Sequence, residues 1–429
     1  MAMPTLETDH YFQRFGFCER RIASSPAPDL GLVVAVPCFN EPDLTGSMES
    51  LWRCQRPDCS VEVIVVVNSS AHCSQEIRLQ NQATLKEAGE WIAQHRDAQF
   101  AFHTIHLSEL PPKQAGVGLA RKIGMDEALR RLDDVGRPHG LIVGYDADCR
   151  CEPNYLTAIE QYFRRNPQSP GCSIYFEHPL KGPLPRQVYE GIAAYELHLR
   201  YYVRALRYAG FPHAHHTLGS CMAVRAAAYC KQGGMNRRQA GEDFYFLHKI
   251  IPLGGFGDLT GTTVFPSPRS SDRVPFGTGK AVREFLEGQE TKTYPLEAFL
   301  DLRQLFFCPP LMFRHGERFL DECASQLPES VRGFLQRRGF AKVMKEIHGN
   351  TSTNAAFRKR FFRWFDAFLA MKFVHYARDQ HYGDGNLREQ AAQLLALVDC
   401  AGQVPGDFSG RELLKIYRTL DRAAKQEAE

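Results

Sequence analysis

Residues Leu141-Ile142-Val143-Gly144-Tyr145-Asp146-Ala147-Asp148 constrain the fold most strongly, because a short apolar run ends abruptly in two carboxylates one residue apart. Leu141 to Val143 lack polar alternation, the pattern of a strand covered on both faces. The aspartates stand where such a strand emerges, the edge at which open α/β sheets place their ligands. Two carboxylates this close repel. A hard divalent cation carrying water and phosphate oxygens is one arrangement that keeps both ionised; an Asp-rich turn closed by Asx hydrogen bonds is the other.

Upstream, the chain alternates strand and helix. Gly31 to Val36 is a continuous strand stopped by Pro37, and Asn40-Glu41-Pro42-Asp43 turns it into a helix running through Trp52. Val61 to Val67 forms a second buried strand ending at Asn68-Ser69-Ser70, followed by a helix over Gln75 to Gln94 and a weaker strand over Phe100 to Leu107. This order predicts an α/β fold with a mostly parallel, Rossmann-like sheet flanked by helices. Each strand ends in polar residues, as a sheet-edge site requires. Between the second and third of those ends lies Gln114 to Asp126, where Gly116 and Gly118 permit close backbone approach before a helix. Its N–H groups and Arg121 would then face phosphate or base, although helix packing explains the same glycines.

A chain of 429 residues exceeds the roughly 250–300 at which a single core stops growing. The expected division is an N-terminal extension over 1–30, an α/β domain over 31–275 and a helical region over 276–429. A net charge of +3 gives no warrant for a nucleic-acid partner, so any basic function must be local. The 13 cysteines have no CxxC or zinc-ribbon spacing, which favours a reducing compartment and packing thiols. Residues 1–30 lack the order of a signal peptide, and no run of about 18 apolar residues occurs. The expectation is a cytoplasmic protein, at most peripheral on a membrane.

Further along, residues 186–209 form an aromatic-rich helix, and His213, His215 and His216 follow at a spacing unsuited to zinc. His215 is a candidate for hydrogen bonding to an acceptor, with a plain polar loop as the alternative. Glu242-Asp243 opens a helix, where a carboxylate either compensates the helix dipole or accepts a proton. Residues 268–280 are glycine-rich and basic without being a P-loop; a lid whose Arg269, Arg273 or Lys280 reaches a diphosphate and an ordinary surface loop are both consistent with them. Beyond Lys280 the pattern is helical. Residues 357–369 put Phe357, Phe361, Trp364, Phe365 and Phe368 on one face with cations opposite, suiting either a core helix or an acidic membrane surface. A final amphipathic helix spans 410–424.

Five pieces in order, Val36-Pro37-Cys38-Phe39-Asn40-Glu41, Gln114 to Gly124, Asp146-Ala147-Asp148 with Glu152-Pro153, Gly219 to Arg225, and Gly241-Glu242-Asp243, resemble the GT-A glycosyltransferases of family 2. The likeness covers roughly residues 31–270. It implies a GT-A fold and a metal-dependent hexosyltransferase-like enzyme. Such an enzyme moves a sugar from a UDP- or GDP-sugar to a hydroxyl of a glycan, lipid-linked or small-molecule acceptor, with inversion. By the same resemblance, Asp148 and Asp146 would hold Mn²⁺ or Mg²⁺ on the donor diphosphate. Pro37, Asn40, Glu41 and Asn68 would bind the nucleoside, with Arg121 and Asp146 alongside. Asp243 would be the catalytic base and Glu242 would orient the acceptor.

The chain departs from that pattern in three places. Val67-Asn68 stand where two aspartates are usual, Lys122 replaces an asparagine, and the late histidine of the metal shell has no counterpart in Val264-Phe265-Pro266-Ser267-Pro268-Arg269. Two other readings survive on residues alone. A nucleotidyltransferase would share the metal carboxylates, but the acidic, glycine-free stretch after the first strand is unlike a triphosphate loop. A non-catalytic protein on a degenerate fold fits the departures but not the joint presence of Asp146, Asp148 and Asp243.

Overall fold

A computed structural model describes residues 8–270, 277–322, 324–398 and 408–423. The chain forms two compact units, one of Met1–Gly182, Thr217–Lys280 and Arg422–Glu429, the other of Pro183–His216 and Ala281–Asp421. The first contains strands β1 (Leu30–Cys38), β2 (Ser60–Ser70), β3 (Phe100–Leu110), β4 (Leu141–Gly144), β5 (Arg150–Cys151), β6 (Gly171–Phe176), β7 (Met222–Arg225) and β8 (Gly257–Phe265). The helices up to the end of this unit are α1 (Thr8–Phe15), α2 (Leu44–Trp52), α3 (Gln75–Gln94), α4 (Val117–Asp134), α5 (Tyr155–Arg165), α6 (Arg186–Tyr208), α7 (Ala226–Lys231) and α8 (Glu242–Ile250). Of these, α6 belongs to the second unit.

The eight strands form one sheet in the order β3-β2-β1-β4-β7-β6-β8-β5. β1 lies between β2 and β4, parallel to both, and β2–β3 and β6–β8 are parallel as well. β7 runs antiparallel to β4 and β6, and β5 to β8. The expected α/β class and mostly parallel sheet are therefore found, with a reversed strand beside β4. The valine- and isoleucine-rich runs of β1, β2 and β4 are buried on both faces, each such side chain contributing roughly 1.5–3 kcal/mol. Helix α4 covers β1 and β2 at close range. A Cβ on Gly124 would stand 3.1 Å from Ala35 Cβ and 3.3 Å from Val66 Cγ2, so this glycine sets the helix-to-sheet spacing.

One expectation about this unit needs correction. Pro37 does not stop the first strand; β1 continues to Cys38, with Pro37 opposite Val66 of β2. The β4 pairing has already ended at Ala35–Gly144, so the missing N–H falls where there is no ladder on that side. The N-terminal extension forms the short helix α1, which docks through few buried side chains. Tyr11 of α1 is buried and donates to Asp126 Oδ1 at 2.6 Å, which also accepts from Tyr229 at 2.7 Å and Lys122 at 3.2 Å. The Lys122 ammonium is thus part of this buried anchor.

The second unit contains α6 and α9 (Thr278–Leu286) to α18: α10 (Leu296–Phe306), α11 (Pro309–His315), α12 (Phe319–Glu322), α13 (Glu329–Arg337), α14 (Phe340–Gly349), α15 (Asn354–Trp364), α16 (Ala367–Ala377), α17 (Leu387–Leu397) and α18 (Gly410–Ala423). A two-residue pair, β9 (Lys292–Thr293) with β10 (Gly385–Asn386), interrupts the helical pattern. The single helix expected over 357–369 is two. Asp366 caps α16 by accepting from Leu369 N at 2.8 Å, and the chain breaks between Trp364 and Ala367. A buried ionic group ties α6 to α18: Arg200 donates to Glu196 at 2.9 Å and to Asp421 at 2.6 Å, and Arg418 reaches Glu196 at 2.7 Å. No helix among the described residues is long and apolar enough to cross a membrane.

Candidate active site

The carboxyl ends of β1 and β4, the start of α8 and the segment after β8 carry the polar residues that matter. At the end of β1 the chain turns sharply: Asn40 has φ 50, the one non-glycine residue with positive φ among those described. Asparagine tolerates this left-handed conformation. Helix α3 holds the turn, since Asn81 Oδ1 accepts from Asn40 N at 2.9 Å and Thr84 donates to the Glu41 carbonyl at 2.7 Å. Glu41 is thereby fully buried. Its carboxylate meets both Nη atoms of Arg269, one at 2.9 Å, and it also accepts from Asp43 N at 3.1 Å. Arg269 extends to Asp148 Oδ2 at 3.1 Å. Burial opposes the charge of this guanidinium, but Glu41 and Asp148 outweigh it and hold the group above its ordinary range.

Arg121 organises the other half of the site. It is 2% exposed. Its Nη2 donates to Asp146 Oδ1 at 2.8 Å, Nε to Glu242 Oε1 at 3.1 Å and Nη1 to the Gly219 carbonyl at 2.8 Å. Desolvation works against its charge, yet Asp146, Glu242 and Asp243 raise its pKa above the usual value. Two glycines make room for this arrangement. A Cβ on Gly219 would lie 2.5 Å from Arg121 Nη2, and one on Gly144 would overlap the Gly219 carbonyl. Arg121 thus positions carboxylates instead of presenting its donors to a ligand.

Asp243 lies at the second residue of α8 and is half-buried. The N-cap position is taken by Gly241, in the left-handed region at φ 67. Asp243 Oδ2 accepts from Gly219 N at 2.8 Å and Oδ1 from Phe244 N at 2.7 Å. Burial, then the neighbouring Glu242 carboxylate, pushes its carboxyl up to about 7, against the lowering effect of Arg121 and the two N–H donors. That is the range in which a carboxylate serves as a base near neutral pH. Arg121 and Gly219 therefore link the strand-end pair Asp146-Ala147-Asp148 to Asp243.

Two of the other sequence candidates, Asn68 and Pro37, are buried within the fold. Asn68 is buried and donates to the Gly116 carbonyl at 3.0 Å, tying the end of β2 to the start of α4. Pro37 is buried in β1. Gly116 and Gly118 face residues 238–239: a Cβ on Gly118 would overlap the Arg238 carbonyl oxygen, and one on Gly116 would be 3.0 Å from Gln239 Cα. Their close backbone approach is to the protein's own chain. His215 belongs to the helical unit, and Arg273 lies outside the described residues. Missed from sequence were Asn81 and Thr84, which hold the Asn40 turn; with Ala88 they are the buried residues of α3, so polar residues on the inner stripe of that helix were the available signal.

Among the described residues no group of three or more His, Cys, Asp or Glu could hold a metal ion by itself. The side chains of Asp146 and Asp148 are 37% and 28% exposed. Two accessible carboxylates fit Mg²⁺ or Mn²⁺, which take few protein oxygens and complete their shell with phosphate and water.

No protein-family description and no curated protein matches the chain. Solved structures similar to it include S. aureus TarS in complex with UDP-GlcNAc, 12% identical over 93% of this chain and 92% of that one, with a TM-score of 0.38. Another is the mannosyltransferase PcManGT from Pyrobaculum calidifontis in complex with GDP-Man and Mn²⁺, 15% identical over 97% and 93%, with a TM-score of 0.34. Likeness of this size carries no inference about activity, which rests on the residues themselves.

Proposed function

We propose that the chain is a glycosyltransferase of GT-A type that moves a sugar from a nucleoside-diphosphate donor to an acceptor hydroxyl. The observation that supports this most is the linkage of Asp243, with its raised pKa, through Gly219 and Arg121 to the strand-end Asp146. Asp148, helped by Asp146, would hold a divalent cation, which when bound supplies positive charge against the donor diphosphate. Arg269, already against Asp148, adds a fixed cation at the same edge and stabilises charge on the leaving diphosphate. Asp243 takes the proton of the acceptor hydroxyl as its oxygen attacks the anomeric carbon, and the carbon–phosphate oxygen bond breaks on the opposite face. This direct displacement inverts the anomeric centre. Arg121 keeps Asp146, Glu242 and Asp243 in register without touching substrate.

The test is release of nucleoside diphosphate from UDP- and GDP-sugars in the presence of Mn²⁺. One donor should be consumed, with slow hydrolysis even without acceptor, and Asp148→Ala should lose most of that release. Asp243→Asn should keep donor hydrolysis while losing transfer. Consumption of a nucleoside triphosphate with release of pyrophosphate would replace this reading with nucleotidyl transfer, and a product with retained anomeric configuration would end the displacement scheme.

A further inference from the structure

Two thiols from distant parts of the chain meet just after the strand-end aspartates. Cys54 stands two positions beyond Trp52, the last residue of α2, and Cys151 ends the two-residue strand β5, three residues after Asp148. Their Sγ atoms are 3.6 Å apart. Backbone contacts hold the two elements at this separation. Gln55 N donates to the Pro153 carbonyl at 2.7 Å, Cys151 N donates to Ser50 Oγ at 3.0 Å, and the Cys54 thiol meets the Ser50 carbonyl at 3.4 Å. The pair joins positions 97 residues apart, so no local spacing of the CxxC kind announces it.

The two thiols differ in character. Cys54 is 4% exposed, whereas Cys151 is half-buried and retains accessible surface. Burial disfavours a thiolate at Cys151, but hydrogen bonds from Cys54 and Ser50 and the charge of Arg150 outweigh it and hold its pKa below the ordinary value. The hydrogen bond to Cys151, together with burial, pushes the Cys54 thiol up. A proton shared by the pair therefore rests on Cys54, which leaves Cys151 as the first nucleophile. We propose that Cys54 and Cys151 form a peroxide-sensitive, reversible disulfide that ties the segment following the paired aspartates to the end of α2. The Cys151 sulfur attacks an oxygen of a hydroperoxide and the O–O bond breaks. The departing oxygen takes a proton and leaves as water or an alcohol, so the peroxide is reduced and Cys151 is oxidised to a sulfenic acid. The Cys54 sulfur then attacks the Cys151 sulfur, its proton passing to the hydroxide that leaves as the S–O bond breaks, and a disulfide and one water are formed. At 3.6 Å this second attack starts near the roughly 3–3.5 Å of a reactive approach. From 3.6 Å the sulfurs have about 1.5 Å left to close to a bond, and both cysteines stand at the ends of their elements.

The test is treatment of the fully reduced full chain with equimolar hydrogen peroxide, then alkylation with N-ethylmaleimide and peptide mapping without reductant. The chain should lose two hydrogens, and the peptides carrying Cys54 and Cys151 should be recovered joined, separating again after dithiothreitol. Cys54→Ser should stop the reaction at its first stage, so that dimedone captures a sulfenic acid on Cys151. Cys151→Ser should give neither the joined peptide nor dimedone capture on Cys54. Should either variant misfold, the map of the wild-type chain decides by itself. The proposal is overturned if peroxide-treated wild type returns both cysteines as maleimide adducts, if Cys151 is found only as sulfinic or sulfonic acid, or if either cysteine is joined to a different thiol. Dimedone capture on Cys54 in Cys151→Ser would overturn the order of attack.

Discussion

Arg121 donates to groups 25, 98 and 121 residues away in the chain, so one side chain holds together parts that sequence spacing separates. Replacing it by methionine would leave the Glu242 carboxylate, 5% exposed, buried without its cation. A loss of about 3–5 kcal/mol is expected in urea unfolding. Asp243 gives a prediction in pH. Its folded carboxyl titrates near 7, against 3.8 for an ordinary aspartate, so the folded chain binds the extra proton between those values. The stability this group contributes is complete below the lower value and lost as pH rises through 7. Asp243→Asn removes that dependence; the difference in Tm between variant and wild type should be widest above pH 7 and vary little below pH 4. Transfer by wild type should rise with pH through about 7, and Asp243→Asn should be roughly 10²–10⁴-fold slower at pH 8. A flat pH–rate profile would sink the base assignment.

Among the elements, what the sequence disclosed depended on how local the cause was. The β-branched runs of β1 and β2 and the helix over Gln75–Gln94 follow from short-range pattern, and α3 has those bounds in the structure. Pro37 misled because its effect depends on where the neighbouring strand ends. The join between α15 and α16 has no apolar signature, since Asp366 is a single polar residue in an aromatic run and acts there as a side-chain cap. Asp366→Ala should cost about 1 kcal/mol in thermal or urea unfolding, with no change in donor hydrolysis. Within the candidate site, motif order in the sequence singles out the paired aspartates and Asp243, which Arg121 and Gly219 link in the fold. The Glu41–Arg269 pair spans 228 residues and has no local signature. Likewise Gly118 read as a ligand-approach residue, yet its missing Cβ accommodates the Arg238 carbonyl. Gly118→Ala is expected to destabilise the fold by about 1–3 kcal/mol, measured by the urea midpoint.

At the scale of the whole molecule, the residues that would carry the chemistry all lie in the α/β unit. The central claim is that Asp148 and its neighbours take a nucleoside diphosphate with a divalent cation. Thermal melting of the full chain with UDP and GDP, with and without Mn²⁺, tests it most directly. At about 100 times its dissociation constant a ligand adds roughly 2.7 kcal/mol of stability. A raised midpoint is expected with one of the two diphosphates, larger with Mn²⁺ present and absent in Asp148→Ala. No shift with either nucleotide, or an equal shift in Asp148→Ala, would contradict it.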